Sequence, residues 1–156
     1  MISPTVLAIY GVATRVDATT RLLQCTRSLL DEDHRPIIDI AIRQLWLCIE
    51  GARYAAHKMH GQNTYPSKEL LADVRTTTDD ELQLMLPGEV LDSYVSMHLD
   101  ATRAALLVVE SIYLESNSSP SCQVGVAMFE CLHWIAAARD DLRAHAEVLL
   151  KTALAA

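Results

Sequence analysis

The chain has 156 residues, 51% of them apolar and 21% charged, with 5 Gly, 5 Pro and a single Phe. That is a one-domain length with enough apolar mass for a real core, and the mass is carried by Ala, Leu, Val and Ile, which suits helix packing better than sheet. The formal net charge of −7 is split unevenly, +1 over residues 1–60 and −8 over 61–156, which argues against a reader of nucleic-acid phosphates, since that task needs a cationic footprint.

Ser3-Pro4 is a helix start, with Ser as cap and Pro at the first helical position. Val6, Ile9, Ala13, Val16, Thr20, Leu23 and Leu30 then form an apolar stripe to about Asp31, with an interruption expected near Gly11. "DEDHRP" is the turn. Pro36 opens a second helix with the stripe Ile38, Ala41, Leu45, Ile49, Ala52, Ala56 and Met59, closed by Gly61 as a C-terminal cap. Residues 61–86 read as an acidic connector of two short helices, the second opened by the capping box Thr78-Asp79-Asp80-Glu81. Eight acids and one base fall between residues 69 and 100, a charge balance that steers basic partners.

Pro87 starts a third long helix, with the expected stripe Leu91, Val95, His98, Ala101, Ala105, Val108 and Ile112. Pro120 opens a fourth, with Val124, Met128, Cys131, Ile135, Ala138, Leu142, His145 and Leu149 inward. The expected fold is all-α: one domain over 1–156, an antiparallel four-helix bundle of two long hairpins (4–60 and 87–154) joined by the connector.

Cys25, Cys48, Cys122 and Cys131 are widely spaced with no Cys-x-x-Cys pair, and most lie in apolar helical patterns. They read as free thiols in a reducing compartment, hence a cytoplasmic protein. The amino terminus has no basic segment ahead of its apolar residues, and no run of 18 apolar residues occurs, so neither a signal peptide nor a membrane span is expected.

Along the second helix Asp39, Arg43, Trp46, Glu50, Arg53, His57 and His60 form one polar line. Asp39–Arg43 and Glu50–Arg53 are spaced for weak surface ion pairs, so the plain reading is a solvated face. Trp46 does not fit that reading, and an indole on a wet face is a candidate anchor for a partner. At the 84-residue offset between Pro36 and Pro120, Trp46 and Glu50 align with Glu130 and Trp134. The four are expected to share a surface or line a cleft.

For metal chemistry, His57 and His60 are three apart on a helix and Glu130-x-x-His133 has the spacing of di-iron carboxylate bundles, but the remaining carboxylates of such a set are missing. No metal or other cofactor is therefore expected. Arg53 to His60 ("RYAAHKMH") and Arg139 to His145 ("RDDLRAH") are similar to the Arg-x(4–6)-His motif of helical ribonuclease domains of the HEPN type, which implies RNA cleavage by those residues. Ten arginines and six histidines in so short a chain supply such spacings by composition alone. No nucleophile elbow or phosphate-cradling loop is present.

The leading expectation is a non-enzymatic interaction module of the inhibitor, immunity or anti-defence type. Its partner would be a basic, nucleic-acid-handling protein, met through Trp46, Glu50, Asp79, Asp80, Glu81, Glu130 and Trp134. Ile37, Ile40, Leu47 and Tyr54 make the second helix apolar on more than one side, so a homodimer is expected too. The alternative is a helical-bundle enzyme, HEPN-like or metal-binding.

Overall fold

Pro4 opens α1 (Pro4–Arg27), and the helix runs through Gly11 without the expected break. The computed structural model describes residues 4–59, 86–114 and 119–155, with side chains described over 4–59, 86–113 and 123–148. The other rods are α2 (Arg35–Met59), α3 and α4 (Ser119–Ala155). α3 is continuous but composite, with Pro87–Glu89 α-helical, Val90–Val95 π-helical and Ser96–Leu114 α-helical. α1 packs on α2, α2 on α3, α3 on α4, and α4 returns to α1, which closes a helical bundle. The expected connector helices, Gly61 and the capping box lie outside the described residues. No described helix is long and apolar enough to cross a membrane.

The first two stripes are buried as the spacing predicts, with only Met59 half-exposed. Thr19, Thr20 and Thr26 enter the α1 core because each hydroxyl donates to the carbonyl four residues earlier, at 3.0, 2.9 and 2.7 Å. Arg27 ends α1, and Leu30 of the turn is buried. The turn is pinned from across the bundle: the Asp31 amide donates to the Tyr113 hydroxyl at 2.8 Å, and that hydroxyl bonds His34 Nδ1 at 2.9 Å. Tyr10, early in α1, meets the ring of His57, late in α2, edge-on at 5.6 Å. Asp39 receives two hydrogen bonds from Arg27, at 2.7 and 3.0 Å, in place of the Arg43 pairing that the helical spacing suggests.

The third stripe departs from expectation. Leu91 and Val95 are buried, but Ala101, Val108 and Ile112 are exposed, and His98 and Ala105 are half-buried. The residues in the core are Leu99, Thr102, Leu106, Val109 and Tyr113, each one position later. The cause is the π-helical turn. Its hydrogen bonds close one residue further along than in an α-helix, so it inserts one residue and turns every later side chain by one step. On α4 the stripe is buried from Val124 to Leu142, and Ala146 takes the place expected for His145.

Candidate functional site

On α4, Val126, Phe129, Glu130, His133, Trp134 and Ala137 form two adjacent rows spaced by three and four residues, 126–129–133–137 and 126–130–134–137, and so share a side of the helix. Val126 is 60% exposed, Phe129 64% and Trp134 38%. Glu130 and His133 between them are exposed as well. Three large apolar groups around a carboxylate and an imidazole are what a docking surface offers: aromatic anchors to desolvate and polar groups at their edge. Scattered single apolar residues need no such explanation, but these stand on adjacent turns.

Where this surface meets α1 it forms an open recess of about 330 Å³, lined by Arg15, Ala18, His133, Trp134 and Ala137. The two alanines make the room, and the indole forms a wall. Arg15 reaches across to Asp141, one turn beyond Ala137, and the pair ties α1 to α4 at the recess edge. Both partners are about half exposed, so the pair adds little stability. It does present a cation whose charge is partly answered. The recess can take a flat or branched apolar side chain flanked by polar groups.

The expected four-residue constellation is only half assembled. Trp134 lines the recess and Glu130 stands one turn away, but Trp46 and Glu50 are on α2, which does not form it. Glu50 is 4% exposed, a correction to the solvated face expected there. Trp46 is half-buried with its indole Nε1 out of contact with water and without a hydrogen-bond partner, so it is no exposed anchor. Both follow from α2 having neighbours on two sides, α1 and α3, which leaves it a narrow wet edge. Asp79, Asp80, Glu81 and His60 lie outside the described residues. Among the described residues no three metal-ligating side chains gather. In the ribonuclease-like stretches, Arg139 is ion-paired with Asp100 at 3.1 Å, His145 is half-buried, and Arg53 lies near the Tyr10 hydroxyl.

A second polar locus, absent from the sequence reading, lies where α2 crosses the π-turn. Gly51 is needed there, since a Cβ would stand 2.8 Å from both Tyr94 and Val95. Cys48 Sγ donates to the Val95 carbonyl at 3.6 Å, and Ser96 Oγ to the Leu91 carbonyl at 3.0 Å. His98 Nδ1 bonds the Gln44 side-chain oxygen, with Tyr94 edge-on to its ring at 4.6 Å. Burial lowers the His98 pKa from the ordinary 6.5 and raises that of the Cys48 thiol well above 9.0. These groups hold a distorted turn in place, and a raised thiol pKa makes Cys48 a poor nucleophile. The sequence signal was a glycine in mid-helix. Comparison of the chain with protein-family models, with curated proteins and with solved structures finds no match.

Proposed function

We propose that this chain is a non-enzymatic protein-binding module that masks or inhibits a basic, nucleic-acid-handling protein, in the manner of inhibitor, immunity or anti-defence proteins. One observation carries the reading: Val126, Phe129 and Trp134 stand exposed on adjacent turns of α4 around Glu130, beside a recess that accepts a side chain. The net charge of −7 supplies the steering toward a cationic partner, with Asp79, Asp80 and Glu81 contributing to it. A cytoplasmic setting goes with the reading, since Cys25, Cys48 and Cys131 are free thiols. A two-fold homodimer belongs to it as well.

The test is affinity capture from the native host, quantified by mass spectrometry, with wild type, Phe129→Ala, Trp134→Ala and Glu130→Lys as baits. Each substitution is at an exposed position, so folding is expected to persist. Loss of one basic protein from all three variant baits is the expected result, at about tenfold or more for the aromatic truncations. Equal capture by all four baits would refute the surface.

A further inference from the structure

Met97, Ala101, Ala104, Val108 and Ile112 lie in one line along α3, on the side opposite its buried residues Leu99, Thr102, Leu106, Val109 and Tyr113. All five are exposed, Met97 at 58% and Val108 at 48%. α3 is therefore apolar on both sides over four turns, the pattern of a helix covered on both sides. With ordinary side-chain areas, the line and the exposed Leu107 beside it present roughly 400 Å² of apolar surface, the size of the largest patch on a typical monomer, which is often functional. Asp100, exposed and one turn from both Met97 and Ala104, borders it. Ser111, at its lower end, turns its hydroxyl back to the Val108 carbonyl at 2.8 Å and asks nothing of a neighbour.

We infer that a second copy of this chain covers the face, two α3 helices crossing at a two-fold axis. This deepens the dimer part of the proposed function and rests on it, independently of the α4 surface. The order of the side chains selects the occupant. With the axis beside Ala104 and the helices running oppositely, Met97 meets Ile112, Ala101 meets Val108, and the two Ala104 residues face each other. The alanines let the helices approach at the crossing, and the long side chains fill the ends where they diverge. One patch thus supplies both halves of its own complement, the requirement of an isologous interface. Charge does not oppose it: of the flanking groups, Asp100 is held by Arg139 at 3.1 Å, and Arg103 is exposed and positive. Two such faces bury on the order of 800 Å², below the standard interface, which sets a weak, reversible dimer in the micromolar range.

Sedimentation velocity of the full chain from low to high micromolar concentration tests this. Wild type is expected to pass reversibly from monomer to dimer. Ala104→Glu and Val108→Glu, each at an exposed position, are expected to raise the dissociation constant about tenfold or more by placing like charges at the seam. Leu7→Glu, equally exposed on α1, is expected to change nothing. In a Cys25→Ser, Cys122→Ser background, Ala104→Cys is expected to oxidise to a covalent dimer and Leu7→Cys is not. A dimer indifferent to both α3 glutamates would leave the dimer reading standing and overturn its location. A chain monomeric at every concentration would overturn both, whatever else covers the face, and neither outcome bears on the α4 surface.

Discussion

Two glycines in mid-helix are expected to respond to alanine with opposite signs. Alanine in place of glycine in a helix interior gains about 1 kcal/mol from lower backbone entropy loss. At Gly11 nothing lies within 4 Å of the added Cβ, so Gly11→Ala should keep most of that gain, about 0.5–1 kcal/mol. At Gly51 the Cβ would meet Tyr94 Cδ1 and Val95 Cγ2, both at 2.8 Å. Both belong to the π-turn, and Tyr94 and Val95 are themselves buried, so α3 must shift as a body. Overpacking of this kind costs roughly 1–3 kcal/mol, which against the gain of about 1 kcal/mol leaves Gly51→Ala destabilised by about 0–2 kcal/mol and the two variants about 0.5–3 kcal/mol apart. Urea denaturation with a common slope measures both. Val95→Ala combined with Gly51→Ala should recover part of the loss, since it removes one of the two clashing atoms. A Gly51→Ala protein stabilised as much as Gly11→Ala would refute the close approach of α2 to α3.

Two further predictions follow from single side chains. Tyr113→Phe leaves the Asp31 amide and His34 Nδ1 without their shared hydroxyl; because Asp31 is exposed and water can replace the bond, a loss of only about 1 kcal/mol is expected. A double-mutant cycle with His34→Ala should show the two effects to be coupled. Burial lowers the His98 pKa from 6.5, so the unfolded chain takes up its proton first as pH falls. His98 stabilisation is thus complete above pH 6.5 and is lost as pH drops from there toward the folded value. The denaturation midpoint should fall more steeply as pH drops below 6.5 in wild type than in His98→Gln, and parallel curves would refute the assignment.

Much of the bundle was legible because burial on a straight helix repeats at steps of three and four. Every member of the α1 stripe is buried, and on α2 only Met59 is not. α3 was misread past Val95 because one inserted residue cannot be seen in a hydrophobic pattern that is apolar on both sides: Ala101, Val108 and Ile112 are as greasy as Thr102, Val109 and Tyr113. The candidate site was legible only at Glu130 and Trp134. Repeat alignment drew Trp46 and Glu50 toward them, but an alignment offset says nothing about which helices are neighbours. Phe129 and Val126 went unmarked because the outward side of a helix can be recognised only after its inward side is fixed.

The π-turn itself can be tested by deletion. Were α3 an ordinary α-helix, removing any residue from it would rotate all later side chains by about 100° and carry Leu106, Val109 and Tyr113 out of the core. At about 1.5–3 kcal/mol for each large side chain, that loss rivals the whole stability of a domain this size. Deleting Arg103 should therefore unfold the protein. Deleting Ser93, which is exposed within the π-helical segment Val90–Val95, should not. It removes the inserted residue, returns the segment to α-helical closure, and leaves everything from Ser96 onward facing as before. The Ser96 hydroxyl would then reach a carbonyl four residues back instead of five, a bond serine makes readily. A circular-dichroism melt separates the two outcomes: cooperative unfolding for the Ser93 deletion, and no native baseline for the Arg103 deletion. If both deletions unfold the chain alike, the one-residue shift of the α3 core has another cause.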